Sequence, residues 1–378
     1  MIVNHVVAHP PFREGTGTVC YYNASALLQL GCQVRVYATQ RKDIDSRQAL
    51  PDFYHSMPSW FSVGLAYLTP ALLSMQDADI IHLHFAFIFG SELTLLKSFA
   101  GRTPLVITCH NDLLAGGIRR PLFWLYNRLS VPLLFRSARK LVVVSRDYAY
   151  RSIYADTFRR READLVEIPN GVDVETFRPD VPCAFIRPRY AIDPDDFLLL
   201  FVSSLDRPHI SKGLDLLLDA LAMIPDPKVK LLVAGEGEMR AVYEAQARRL
   251  GLGARVVFTG YLTHAPDQLP ACYAAADAIV IPSRLEAFGL ALAQGMSTGK
   301  PVIGSDIPGV RTLVLDGVCG LLAPVNNRAA LAERISILAG SPPLRAQMGA
   351  AGRERIMQNY TWETAGERLL SMYNEVLS

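Results

Sequence analysis

The chain has 378 residues, half of them hydrophobic, six cysteines and a net charge of only +2. That length exceeds what one core usually serves, so two domains of about 180 residues each are expected. A near-neutral chain without a recognisable nucleic-acid motif argues against DNA or RNA as a partner, and no apolar run approaches the ~20 residues of a membrane span. Cys20, Cys32, Cys109, Cys183, Cys272 and Cys319 are scattered without C-x-x-C spacing. They read as reduced core residues and predict neither a zinc site nor a disulfide frame. Met1–His9 lacks a basic head and is too short for a signal peptide, which predicts a cytoplasmic protein.

In chain order, the first half alternates strands and helices: a strand at Ile2–Ala8, a helix over about Val19–Leu30, and strands at Val34–Tyr37 and Ile80–Leu83. Strands at Leu105–Thr108, Leu141–Ser145 and Leu165–Ile168 follow, with helices at Ser91–Phe99 and Pro121–Phe135. The turn-rich stretch Pro169–Pro182 marks a domain boundary. Beyond it, strands are expected at Phe197–Ser203, Val229–Ala234, Val256–Thr259, Ala276–Ile281, Val302–Gly304 and Gly320–Leu322, separated by helices. Runs such as Phe197–Ser203 (FLLLFVS) and Val229–Ala234 (VKLLVA) lack strict alternation, so helices should cover both faces of each sheet. The fold class is therefore α/β, with two Rossmann-like, doubly wound parallel-sheet domains. The expected division is 1–178 and 179–359, with 360–378 an amphipathic helix behind a Thr361-x-x-Thr364 cap region.

Chemistry concentrates where strands end, because the carboxyl ends of parallel strands open on the ligand crevice of such folds. Glu286 falls in the turn between the strand Ala276–Ile281 and a helix from Leu290. The amides of Phe288, Gly289 and Leu290 would be unpaired first-turn donors able to hold an anion. Lys212-Gly213 enters another helix, where a lysine is disfavoured by the helix dipole unless an anion is shared between them. Gly235-Glu236-Gly237 follows a strand and reads equally as a structural turn or a phosphate cradle. His82-Leu83-His84 ends one strand and Thr108-Cys109-His110 the next; His110 is the better placed to touch substrate, while His84 reads first as structural. Between Arg119 and Glu162 the chain carries eleven Lys/Arg against three acids, with aromatics at helical spacing. That window is either a solvated helix face or a surface for an anionic membrane or lipid-phosphate acceptor.

Together Glu286-Ala287-Phe288-Gly289 and the residue eight places after Glu286 resemble the E-x-F-G-(x)4-E signature of retaining, nucleotide-sugar-dependent glycosyltransferases of family 4, which have the GT-B fold. Pro169-Asn170-Gly171-Val172-Asp173 with Phe177, Lys212-Gly213, Gly235-Glu236-Gly237 and Phe258-Thr259-Gly260-Tyr261 resemble further motifs of that family, in the same order. Departures are Gln294 for the second glutamate, Ser203-Ser204 for a glycine-arginine pair, and Thr312 for a glutamate.

The resemblance implies two domains facing a central cleft, with the last helix crossing back to the first, and transfer of a sugar from a nucleotide diphosphate to an acceptor hydroxyl with retained configuration. It assigns His110 to the donor sugar, Lys212 to the diphosphate and Glu286 to sugar hydroxyls. Donor contacts are expected from Gly17, Arg207 in place of the missing arginine, Gly235, Gly237, Gly260, Tyr261, Phe288, Gly289, Leu290 and Gln294. No metal or cofactor is expected, since no D-x-D site of the diphosphate-chelating kind is recognised. The implied partners are a nucleotide sugar and a saccharide or lipid-linked saccharide acceptor; peripheral contact at an anionic inner membrane face is the expectation only under the membrane reading of the basic window. A sugar-nucleotide 2-epimerase and a catalytically silent sugar-nucleotide-binding subunit remain the alternatives.

Overall fold

The computed structural model describes the chain except for residues 12–14, 41–49, 64–65 and 114–119. It divides into two compact units, one of Met1–Gly171 joined by Trp362–Ser378, the other of Val172–Thr361.

In the first unit the strands are β1 (Ile2–Val7), β2 (Gln33–Thr39), β3 (Tyr54–Met57), β4 (Phe61–Val63), β5 (Ala66–Leu68), β6 (Ile80–Phe85), β7 (Leu105–Cys109), β8 (Lys140–Val143) and β9 (Leu165–Glu167). Seven form a parallel sheet in the order β3-β2-β1-β6-β7-β8-β9, and β4 pairs antiparallel with β5. Chain winding therefore reverses between β1 and β6, which pair directly with His5 opposite His82. Strand β3 and the β4–β5 pair were not expected from the sequence. They are short, and β3 is defined by pairing with β2 rather than by a pattern of its own.

Both faces of this sheet are covered, as its unbroken apolar runs require. One face carries Leu83, Phe85, Ile107 and Leu141 toward Phe135 and Phe158. The other carries Val3, Val7, Ile80 and Val106, packed with Leu27 of the helix Gly15–Gln29 and with Leu369, Met372 and Tyr373 of the final helix, Trp362–Leu377. That last helix is amphipathic as expected; its buried stripe includes Ala365, Leu369, Met372 and Tyr373. The helix Gly15–Gln29 starts four residues before the expected Val19. Its first turn holds Gly17, where any Cβ would press on the backbone oxygens of His9 and Pro10.

The second unit contains β10 (Phe197–Val202), β11 (Val229–Ala234), β12 (Val256–Gly260), β13 (Ala278–Ile281), β14 (Val302–Ser305) and β15 (Gly320–Ala323). All pair in parallel, in the order β12-β11-β10-β13-β14-β15, so winding reverses between β10 and β13. Strand β13 begins two residues later than the apolar pattern suggests. Asp277, just before it, already bonds β10 through its amide to Leu198 O at 2.8 Å, while its carboxylate accepts from the Leu198 amide at 2.7 Å and pairs with Arg187 at 2.8 Å. The six cysteines are free, and all but Cys183 are buried.

Candidate active site

In the second unit the expected donor residues gather at the carboxyl ends of β10–β13. Lys212 closes a 3-10 turn, Arg207–Lys212, that follows β10; Gly213, at φ 80°, is the left-handed cap from which the helix Leu214–Ala222 starts. Glu286 lies in the loop after β13. The two strands are neighbours at the winding reversal, and the Lys212 ammonium donates directly to the Glu286 carboxylate. Both side chains keep some exposure, 27% for Lys212 and 14% for Glu286, so the pair is reachable by a ligand.

Three further contacts fix these loops against each other. A Cβ on Gly213 would collide with the carbonyl oxygen of Pro282, so glycine serves both the turn and the close approach. The Arg284 amide donates to Ser211 O at 2.7 Å, and the Arg284 guanidinium grips Asp215 through two bonds of 2.9 and 2.7 Å. Such bidentate pairs hold geometry as well as charge. Gly309 lies so close to the carbonyl oxygens of Glu286 and Ala287 that a side chain there would displace the loop carrying Glu286. Arg284 and Asp215 did not stand out in the sequence, since they are 69 residues apart and belong to no motif.

The Gly235-Glu236-Gly237 turn folds over the end of β10. Leu205 N donates to Glu236 O at 2.9 Å and Met239 N to Leu205 O at 2.8 Å. A Cβ on Gly235 would meet Ser203 O, and one on Gly237 the backbone of Leu205 and Asp206. Gly235 N also donates to Gly260 O at 3.0 Å, which ties this turn to the end of β12 beside the exposed Tyr261. The glycines thus have a structural reason of their own. Ser204, at the place of the family's arginine, bonds Asp206 at 2.5 Å. Arg207 stands apart from the Lys212–Glu286 pair in its contacts: its side chain is 77% exposed and pairs with Glu238 at 3.5 Å.

The helix after Glu286 runs Leu290–Ser297, capped by Gly289 at φ 91°. Its first internal bond is Ala293 N to Gly289 O, so the donors left without an intrahelical partner are those of Gly289, Leu290, Ala291 and Leu292, which include two of the expected 288–290. Phe288 turns inward against Tyr360, with ring centroids 5.6 Å apart. Gln294 is buried, and its Oε1 lies 3.0 Å from the Tyr273 hydroxyl, which also approaches Ala291 O at 3.1 Å. Tyr273 was not singled out from the sequence either.

In the first unit His110 follows β7 and is joined to histidines from neighbouring strands. His84 Nδ1 lies 2.9 Å from His110 Nε2, and His5 Nδ1 lies 3.0 Å from His84 Nε2. His82 contacts the Tyr373 hydroxyl through Nδ1 and Thr108 Oγ1, at 2.6 Å, through Nε2. Burial pushes the His5 imidazole down to about 3 and that of His110 to about 4. Burial, reinforced by repulsion among the rings, also holds His82 and His84 well below the usual value. At neutral pH all four are uncharged, so His110 can offer a hydrogen bond but not a positive charge. Among the described residues, His5, His82 and His84 also form a group whose nitrogens lie within 4.8 Å of one another, as metal ligands could. Three Asp-x-Asp triplets occur in the chain: Asp43–Asp45 lies outside the described residues, while Asp77–Asp79 and Asp193–Asp195 precede β6 and β10 and so lie at the amino ends of these strands.

Comparison with known proteins identifies the family. The model described as Glycosyltransferase Family 4 matches residues 13–176, and that described as Glycosyl transferases group 1 matches 184–355. A D-inositol 3-phosphate glycosyltransferase of Frankia alni is 36% identical over 345 residues, 85% of this chain and 81% of that protein. Another, of Xylanimonas cellulosilytica, is 35% identical over 233 residues, which span 58% of this chain but 54% of that relative. The structure of sucrose-phosphate synthase from Thermosynechococcus elongatus superposes with a TM-score of 0.79 at 22% identity, covering 100% of this chain and 99% of that one. The chain belongs to the family 4 glycosyltransferases and has the GT-B fold.

The histidines give the first unit an acid-sensitive stability. Because their folded values lie below the unfolded one near 6.5, the folded state binds fewer protons, and stability is lost as pH falls from 6.5 toward 4. Each fully neutral imidazole should remove about 2 kcal/mol by pH 5 relative to pH 8. Trp60, Trp124 and Trp362 all belong to this unit. Urea unfolding followed by tryptophan fluorescence should therefore shift to lower midpoint between pH 7.5 and 5, and an unchanged midpoint would mean that these rings are not held neutral.

Proposed function

We propose that the protein transfers a sugar from a nucleoside diphosphate to an acceptor hydroxyl with retention of anomeric configuration and without a metal ion. The observation that carries this reading is the Lys212–Glu286 pair at the winding reversal of the second sheet. With donor bound, the Lys212 ammonium turns to the diphosphate, where negative charge grows as the bond from the anomeric carbon to phosphate oxygen breaks. Glu286 is released to accept from donor-sugar hydroxyls. The acceptor oxygen bonds to the anomeric carbon on the same face, and its proton passes to the departing phosphate oxygen. His110 holds a sugar hydroxyl as a neutral group. Gly17, Gly235, Gly237, Gly260, Tyr261 and the amides of Gly289–Leu292 line the donor through backbone, while Arg207 is left to the periphery. The inositol-phosphate substrate named for two relatives favours a polar, anionic acceptor or its lipid-linked counterpart.

Lys212→Ala should weaken nucleoside diphosphate binding roughly tenfold to a hundredfold, because a charge-assisted contact of about 1.5–3 kcal/mol disappears and Glu286 is left facing the phosphates. Glu286→Gln should instead lower turnover while leaving nucleoside diphosphate affinity equal or tighter, since it frees the lysine. Calorimetry and turnover with excess chelator, and the anomeric configuration of the product by NMR, decide the matter. Wild-type behaviour in both variants would defeat the assignment, and donor turnover without acceptor would favour an epimerase.

Gln294 is assigned to the donor ribose. Its amide meets Tyr273, and a carboxylate there would add a second, charged acceptor. Hydrogen bonds to a charged group contribute about 1 kcal/mol more than neutral ones, so Gln294→Glu should tighten nucleotide-sugar binding several-fold. Equal or weaker binding by the glutamate variant would remove residue 294 from the ribose site.

The basic window is assigned to an anionic membrane surface. Its helix, Arg120–Ser137, exposes Trp124, Leu125, Leu129 and Leu133 beside Arg120, Arg128 and Arg136; Arg119 lies outside the described residues. No helix of the described residues is long and apolar enough to cross a membrane. Sedimentation with vesicles containing anionic lipid should show binding that weakens with salt. Binding that is absent or indifferent to salt would return this face to bulk solvent.

A further inference from the structure

We propose that His84 and His5 act as positioning residues that fix His110 in its Nδ1–H tautomer, so that His110 presents a hydrogen-bond donor, not an acceptor, to its ligand. The three rings form a single directed chain. His5 Nδ1 faces His84 Nε2 at 3.0 Å, and His84 Nδ1 faces His110 Nε2 at 2.9 Å. A neutral imidazole has one N–H and one lone pair, so each ring must donate in one direction and accept from the other. Only two arrangements satisfy both contacts: every ring protonated on Nδ1, or every ring protonated on Nε2.

The far end of the chain chooses between them. His5 is fully buried, and its Nε2 has no hydrogen-bond partner among the described residues. Protonation on Nε2 throughout would strand an N–H donor there, whereas protonation on Nδ1 strands only a lone pair. A buried N–H without an acceptor is the rarer and more costly of the two. His82 does not disturb this choice. Its partners, Thr108 and Tyr373, are hydroxyls that can donate or accept, so it is satisfied in either form, and it stacks on His84 with centroids 4.9 Å apart. His84 and His110 are likewise nearly parallel, at 5.2 Å and 12°.

The chain ends at His110, whose Nε2 is taken by His84. For Nδ1 no partner appears among the described residues, and this nitrogen is not among the buried unpaired atoms. It is the ring atom left to meet a ligand. An Nδ1–H there grips a sugar hydroxyl by its oxygen and leaves that hydroxyl's own proton to another acceptor. The catalytic consequence rests on the assignment of His110 to the donor sugar; the tautomer does not.

The two are separable by experiment. Two-bond 1H–15N correlation spectra of histidine-labelled protein at pH 7.5 should show His110, His84 and His5 protonated on Nδ1; an Nε2–H His110 in the wild type overturns the proposal without any variant. His84→Phe keeps a stacked ring but removes the donor, and should let His110 populate Nε2–H, with turnover down about tenfold and nucleoside diphosphate affinity unchanged. His84→Asn, whose amide nitrogen takes the place of Nδ1, should restore the Nδ1–H form. An unaltered His110 tautomer in His84→Phe, or histidine signals that move on adding a chelator, would overturn the proposal, the latter because the cluster would then be holding a cation. If the tautomer shifts as expected and turnover does not, the proposal stands and the assignment of His110 to the donor sugar falls.

Discussion

The reversal of winding beside the first strand of each sheet is the constraint on which the remaining features depend. In the second unit β10 is flanked by β11 and by β13, so the loops leaving β10 and β13 lie side by side at the carboxyl ends of two adjacent strands. Lys212 and Glu286 come from those two loops, 74 residues apart in the chain, and meet because the strands below them are hydrogen-bonded neighbours. In the first unit the equivalent reversal places β1 next to β6, which brings His5 beside His82 and His84.

Small residues crowd the strand ends of the second unit because its loops pack backbone on backbone. Gly213, Gly235, Gly237 and Gly309 each lie against another loop's backbone with no space for a Cβ. Loops packed this closely have little freedom to drift, and the Arg284–Asp215 fork adds a side-chain lock across the same seam. A lysine and a carboxylate held in mutual contact across that seam keep both charges compensated. Leaving either alone in a partly buried position would carry the larger desolvation cost.

Much of this was legible in the sequence, for identifiable reasons. Doubly covered strands announce themselves as apolar runs, and glycine beside a charged residue at a strand end marks a loop that must approach something closely; both signals are local. The Lys212-Gly213 and Glu286–Gly289 motifs could therefore be located without knowing that they touch. What was not legible depends on pairing between distant segments. Strand β3 is specified by its neighbour β2, the Arg284–Asp215 fork by the β10–β13 junction, and the contact of Tyr273 with Gln294 by the packing of two helices. The helix start at Leu290, behind the left-handed Gly289 cap, extends the free amides to Leu292. Thr312, which departs from the family's glutamate, has its carbonyl held by Arg355 at 2.8 Å; nothing in the structure explains the substitution of its side chain.

The histidines illustrate the difference between a residue and an arrangement. Each alone reads as a buried polar side chain, and burying four of them on one face of a sheet is costly unless each finds partners. The sheet resolves most of that cost by register: His5, His82, His84 and Thr108 occupy positions on adjacent strands that let ring meet ring, and Tyr373 reaches His82 from the final helix. Apolar residues in these positions would satisfy the packing with no such demand, as Val3, Ile80 and Val106 do on the same face. A polar ladder that departs from the simplest core, runs toward the carboxyl edge of the sheet and ends at His110 is the kind of local exception that proteins keep where function requires it. Its placement beside the winding reversal puts that exception where the fold already directs its chemistry.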